Sequence, residues 1–143
     1  PADLDALATA LISQGSRFAR TASRRASTRL SLVAMRILVN LQQDGRLRVG
    51  ELALREGIAQ PAMTATVNRL QRHGMVTRDA DPADARAALV GLTPAGAAEL
   101  AVFRRQAASR VRPLLEALDE VELTVLDDAA VLLQRLADEM SRR

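Results

Sequence analysis

With 143 residues, 48% of them hydrophobic and 26% charged, the chain is long enough for one domain with a real core, short for two, and too apolar to be disordered. It has no cysteine and a single histidine, which excludes disulfides, thiolate metal sites and thiol redox sensing and leaves no ligand set for zinc or copper. All 20 basic residues are arginine and the net charge is only +3, so the placement of charge says more than its sum.

Aromatic residues make up 1% of the chain, Phe18 and Phe103 alone, so Leu, Val and Ala must fill the core, which suits helices and helix–helix seams. No apolar run approaches membrane-spanning length and no signal-peptide pattern opens the chain, so a cytoplasmic protein is expected. The opening Pro1 suggests that a short native N-terminal stretch precedes it.

The first predicted element is a helix over about Asp3–Arg25, with Leu4, Leu7, Leu11 and Phe18 on one stripe. It leads into Arg17, Arg20, Arg24, Arg25 and Arg29, a run without an intervening acid. Such a run offers a face to a polyanion, or is simply a solvated helix surface. Ser31 is a plausible N-cap for a second helix, whose stripe is Val33, Ile37, Leu38 and Leu41 and which Asp44-Gly45 ends.

A short helix follows over Val49–Glu56, closed by Gly57, where a left-handed backbone costs little. Ile58 and Ala59 turn the chain. Pro61 then opens a helix at its first position, with Met63, Val67 and Leu70 facing inward and Gly74 ending it. Two short helices joined by a tight turn with glycine have the layout of a helix-turn-helix. Val76–Asp79 and Ala88–Leu92 read as strands joined by the turn residues Asp81-Pro82-Ala83-Asp84, a hairpin with Arg78 and Arg86 on its arms.

Thr93 caps and Pro94 opens a further helix carrying Leu100, Phe103, Ala107, Val111 and Leu114, with Pro113 expected to kink it. Asp119-Glu120-Val121-Glu122 is a capping box, and Leu118 with Leu123 can staple it. The last helix repeats Leu123, Leu126, Ala130, Leu133, Ala137 and Met140 at three-four spacing, a heptad seam with many acids on its other faces. The expected fold is mainly α with a β-hairpin wing. The middle module cannot bury every stripe alone, so the terminal helices of two copies are expected to cover each other, an intramolecular bundle being the alternative. Residues 1–30 and 94–143 would then form a dimerisation domain, with Leu4, Leu7, Leu11, Leu126, Leu133 and Met140 at the interface, and residues 31–93 the winged lobe.

Between Val49 and Gly96 the chain resembles the MarR family of bacterial winged helix-turn-helix regulators. The resemblance is carried in order by Gly50-Glu51-Leu52-Ala53, by Gly57-Ile58-Ala59-Gln60-Pro61-Ala62-Met63-Thr64 and by Val67-Asn68-Arg69-Leu70. It continues through Gly74-Met75-Val76, Asp81-Pro82-Ala83-Asp84-Ala85-Arg86 and Leu92-Thr93-Pro94-Ala95-Gly96. It implies a triangular homodimer without enzymatic activity that binds a pseudo-palindromic site in double-stranded DNA. Such regulators usually repress, and many release DNA when a small phenolic or anionic compound binds between interface and lobe.

On this reading the helix opened by Pro61 lies in the major groove. Gln60, Thr64 and Asn68 approach bases and Arg69 the backbone, because Gln and Asn pair with adenine and Arg with guanine or phosphate. Arg86 matches the family arginine that enters the minor groove, where it reads groove shape. Arg78 contacts phosphate or is an ordinary strand arginine, and Asp84 holds the loop or pairs with an arginine. His73 reads as a helix-end residue favoured by the dipole. Ala59, Ala65 and Ala85 stand where many members carry Ser, a larger polar residue and a second basic residue, which implies fewer direct contacts and more reliance on DNA shape.

For an effector, Phe18, Arg20, Arg24, Met35 and Arg36 are expected near a cleft between interface and lobe, where an arginine beside apolar groups suits an aromatic carboxylate. They read equally as core and surface residues. No cofactor is implied. Two other readings compete: an enzyme, for which no triad, phosphate loop or metal constellation can be assembled, and a winged helix that binds protein.

Overall fold

The computed structural model describes residues 3–24, 26 and 30–143. Arg25 and Arg29 of the basic run lie outside them. Four of the six described helices begin at a residue whose side chain caps them. α1 (Leu4–Ser23) starts at Asp3, whose carboxylate accepts from the N–H groups of Asp5 and Ala6. α2 (Leu32–Asp44) starts at Ser31, whose Oγ accepts from the Ala34 N–H at 3.2 Å, and ends at Gly45 with φ +75°. α3 (Val49–Glu56) ends on Gly57 with φ +63°, the left-handed stop expected of it.

α4 (Gln60–Arg72) begins one residue earlier than the sequence suggests, so Pro61 stands second rather than first. Ala59 is its N-cap and offers no side-chain oxygen. α5 (Pro94–Leu115) starts on Thr93, whose Oγ1 accepts from the Gly96 N–H at 3.0 Å. Pro113 falls in its last turn, and the helix stops two residues later. α6 (Glu120–Ser141) carries the reciprocal capping box: Asp119 accepts from the Glu122 N–H at 2.8 Å, and Glu122 accepts from the Asp119 N–H at 3.1 Å.

Three antiparallel strands complete the fold in the order β1-β3-β2: β1 (Leu47–Arg48), β2 (Val76–Asp81) and β3 (Asp84–Leu92). β1 is too short to show alternation, and the sequence reading lacks it. It pairs Leu47 with Val90 and Arg48 with Leu89. The hairpin arms run further than expected, because Asp81 and Asp84 bond the turn from within the strands: Asp81 accepts from the Ala83 N–H and Asp84 from the Arg86 N–H. The register slips between Ala80 and Asp81, where a bulge turns the strand.

Residues 1–107 form one compact unit and 108–143 a second, with the boundary inside α5. In the first unit, Ile37, Leu38, Leu52, Met63, Val67, Leu70, Val90 and Leu100 are sealed from solvent. Leu30 and Leu100 belong to this core, which therefore draws on chain beyond 31–93. α1 and α6, by contrast, contain no buried residue. The expected interface residues Leu4, Leu7, Leu11, Leu126, Leu133 and Met140 are all exposed in the single chain.

Where α4, the sheet and α5 meet, the chain is clasped. Thr93 donates through its N–H to the Met75 carbonyl at 3.1 Å and through Oγ1 to the Gly74 carbonyl at 2.6 Å. Gly96 lies so close that a Cβ there would sit 2.2 Å from the Met75 carbonyl oxygen. Gly96→Ala is therefore expected to destabilise the protein by about 1–3 kcal/mol, the usual range for overpacking. Chemical denaturation checks this, and an unchanged midpoint would mean that the α5 start gives way freely.

Candidate nucleic-acid interface

α4 is held by one face and free on the other. Met63, Val67 and Leu70, spaced by four and three, are at most 1% exposed. Gln60, Pro61, Ala65, Asn68, Arg69 and Arg72 are exposed, and Thr64 is half-buried. Ala65 is small enough to leave a shallow hollow bordered by Asn68, Arg69, Gln71 and Arg72. The first turn of α4 has no capping side chain, so its exposed N–H groups and positive dipole end face solvent, the arrangement that attracts phosphate.

The wing is built on a buried carboxylate. Asp81, 8% exposed, accepts from the Ala83 N–H at 2.9 Å and from Arg48 Nε at 2.8 Å, with Arg48 Nη2 at 2.5 Å. The Ala83 N–H and the Arg48 guanidinium together hold the Asp81 carboxyl below its ordinary value of 3.8, against the opposing effect of burial. Arg46 adds a surface pair to Asp79 at 3.5 Å. Among the described residues Asp84 pairs with no arginine; it accepts from the Arg86 N–H at 3.0 Å and so shapes the turn. Arg86 is exposed near the tip. Arg78, half-buried on β2, donates through Nη1 to Asn68 Oδ1 at 2.6 Å and ties the wing to α4.

The arginines are thus sorted. Those at 36, 46, 48, 55 and 112 each meet a carboxylate. Among the described residues, the guanidinium groups of Arg69, Arg72 and Arg86 meet none. A helix with one buried stripe, a capless N-terminus, uncommitted arginines and an adjacent hairpin make a surface that can dock on a nucleic-acid groove.

Residues 30–88 match the MarR family model. The chain is 33% identical to an uncharacterised HTH-type transcriptional regulator of Mycobacterium bovis over 116 residues, 81% of each protein. The chain belongs to the MarR family. It is a winged-helix transcriptional regulator. A transcriptional regulator from Pseudomonas aeruginosa, 30% identical, superposes with a TM-score of 0.69 over 96% of this chain and 98% of that one. A MarR family protein from Bacillus stearothermophilus shares the fold at 22% identity, with a TM-score of 0.63 over 96% of this chain and 90% of that one.

Against the family pattern, Ala59, Ala65 and Ala85 are exposed and bring no polar group to this surface. Two features of this MarR-family chain escape sequence reasoning. Arg48 and Asp81 are far apart in sequence, and only the pairing of β1 with β3 brings them together. Arg72 extends the free basic face one turn beyond Asn68; its spacing of four was the available signal.

A cleft of about 610 Å³ lies elsewhere in the first unit, between the end of α1, α2 and α5. It gathers four of the expected effector residues, Arg20, Arg24, Met35 and Arg36. Phe18 is not among the lining residues and is 59% exposed; Phe103 supplies the aromatic group instead, with Leu30, Leu32 and Val39. The sequence spacing placed Phe18 on the apolar stripe, but that stripe is uncovered in the single chain. Arg36 Nε also donates to Glu56 Oε2 at 2.5 Å, and Asn40 Nδ2 donates to Glu56 Oε1 at 3.0 Å, so the cleft wall is joined to α3.

The lowered Asp81 pKa fixes the sign of a pH effect. Its charge contributes stability that is present above the ordinary carboxylate value and is lost as pH falls through the folded value. Asp81→Asn is expected to be less stable than the parent protein at pH 7, with the gap closing below about pH 4. Urea midpoints of both proteins at pH 7 and pH 3 test this. A gap of equal size at both would show that packing, not charge, holds the wing.

Proposed function

We propose that this regulator is a cytoplasmic homodimeric repressor that binds a pseudo-palindromic DNA operator and is released by a small anionic effector. The observation that carries the DNA reading is the pairing of a buried stripe on α4 with an opposite face whose arginines have no internal carboxylate. α4 enters the major groove with Gln60, Thr64 and Asn68 against bases and Arg69 against the backbone. Pro61 and the bare first turn of the helix lie against a phosphate, and Arg86 enters the minor groove beside it. Asp84 serves by shaping the tip that carries Arg86.

Dimerisation is supported by α1 and α6, each of which leaves its apolar stripe uncovered. Residues 1–30 and 94–143 supply the interface and 31–93 the reading head, anchored through Leu30 and Leu100. Repression follows the family resemblance. The effector reading rests on the cleft, whose size suits a small ligand and whose Arg20 and Arg24 stand beside apolar walls, a combination that selects an aromatic carboxylate. An anion that draws Arg36 from Glu56 would loosen the tie between α2 and α3 and so bias α4.

A fluorescence anisotropy titration tests the whole reading, with the DNA upstream of the protein's own gene beside a random duplex of equal length at several salt concentrations. Preference for the upstream DNA, with affinity falling steeply in salt, is expected. Arg86→Ala is expected to weaken binding at least about tenfold without unfolding the protein. Leu133→Asp should yield a monomer that loses operator binding, because it places a charge in the seam. Benzoate at millimolar concentration should lower affinity for the upstream DNA. Equal, weak binding to both duplexes would remove the operator reading, and a dimeric, DNA-competent Leu133→Asp protein would remove the interface.

A further inference from the structure

The contact between Arg78 and Asn68 assigns a further residue to sequence reading. A guanidinium has donors and no acceptor. The Asn68 atom 2.6 Å from Arg78 Nη1 must therefore be the carbonyl Oδ1, so the amide orientation is fixed by chemistry. The Nδ2 group is left as the end of the amide available to a base. Asn68 is exposed on the face of α4 opposite Met63, Val67 and Leu70, while Arg78 is half-buried on β2, opposite Val90 of β3. Arg78 is thus a poor candidate for free contact with phosphate and a good one for a brace.

We infer that Arg78 is a positioning residue for specificity: it holds the Asn68 amide with its N–H donors towards the groove, so that Asn68 selects a base that presents an acceptor, a purine N7 or the thymine O4, and rejects cytosine, which presents a donor. An unbraced Asn68 flips between its donor and acceptor ends and tolerates both edges. The inference rests on the reading that α4 lies in the major groove with Asn68 against bases. It departs from the simpler role of a strand arginine that binds phosphate, which adds affinity without discrimination.

In vitro selection from a randomised duplex, with the full-length dimer, defines the bound sequence. Competition titrations then compare the four base pairs at each position. Asn68→Ala should flatten the preference at one position in each half-site by about tenfold, which identifies the base that Asn68 reads. Arg78→Met should flatten the same position to a similar degree, with the salt dependence of binding unchanged. Arg78→Lys, which keeps a donor towards Oδ1, should restore at least part of the discrimination against cytosine. The inference is overturned if Arg78→Met leaves that position intact, or if it weakens all sequences equally and lowers the salt slope by about one, the mark of a lost phosphate contact. If Asn68→Ala changes no position, Asn68 does not face a base, and the inference falls together with the reading beneath it. Circular dichroism of each variant keeps a misfolded wing from passing as a lost preference.

Discussion

The reading head depends on one clasp. Thr93 bonds the carbonyls of Gly74 and Met75 and caps α5 through the Gly96 N–H. Four elements meet there: the end of α4, the outer ends of β2 and β3, and the first turn of α5. Gly74 has φ +71°, which lets the chain leave α4 and enter β2 at once. Gly96 has no Cβ to strike the Met75 carbonyl. With the clasp closed, the angle between α4 and the hairpin is set by the short bonds of Thr93 together with the Arg78–Asn68 tie. A groove-reading surface needs that rigidity, because its helix and its hairpin must meet the duplex together.

Electrostatics continue the same logic. At the wing, Arg48 and the turn N–H of Ala83 both serve Asp81, so the tip is shaped before DNA arrives. On the far side of the module, Glu56 is shared by Arg36 and Asn40, and Arg55 reaches Asp44. Most of these pairs are partly exposed and each adds little to stability. Their value lies in fixing orientation and in neutralising arginines that would otherwise compete for phosphate. Among the arginines that meet no carboxylate are those on the exposed face of α4 and at the wing tip. A net charge of +3 is weak evidence for DNA binding by itself; the placement of arginines on the exposed face of α4 and at the wing tip is the stronger observation.

The local parts of this arrangement were legible in the sequence. Ser31, Gly57, Thr93 and the Asp119–Glu122 box mark helix ends through short-range hydrogen bonds, and a bond across two to four residues leaves its signature in the sequence. The inward faces of α2 and α4 follow from helical spacing for the same reason. The parts that were not legible join distant segments. β1 has two residues and exists only because β3 offers it an edge. The Arg48–Asp81 pair depends on that edge. β3 begins four residues before the expected Ala88, at Asp84, and runs through Ala85 and Ala87, poor strand formers that give no strand signal. In the cleft, Phe103 and Phe18 are both apolar-stripe residues by spacing, and only tertiary packing turns one inward. Pro61 was misplaced by one position because both the first and second residues of a helix tolerate a missing N–H.

The uncovered stripes set the final constraint. Most helical stability in proteins comes from packing an apolar face. Burying a leucine fully is worth about 1.5–3 kcal/mol. Leu4, Leu7, Leu11, Leu126, Leu133 and Met140 are 40–74% exposed in the single chain, so much of this is left unrealised. A second copy is the partner that can always supply a matching surface, because the same sequence carries the same stripes. The consequence for function is geometric. Two heads held by one shared interface can read two half-sites about one helical turn, roughly 34–36 Å, apart, and only if the interface fixes their separation. On the proposed dimer, covering the apolar stripes and spacing the reading heads would be one requirement, and a ligand that shifted a head relative to that interface would act on DNA binding without touching a DNA-contacting residue.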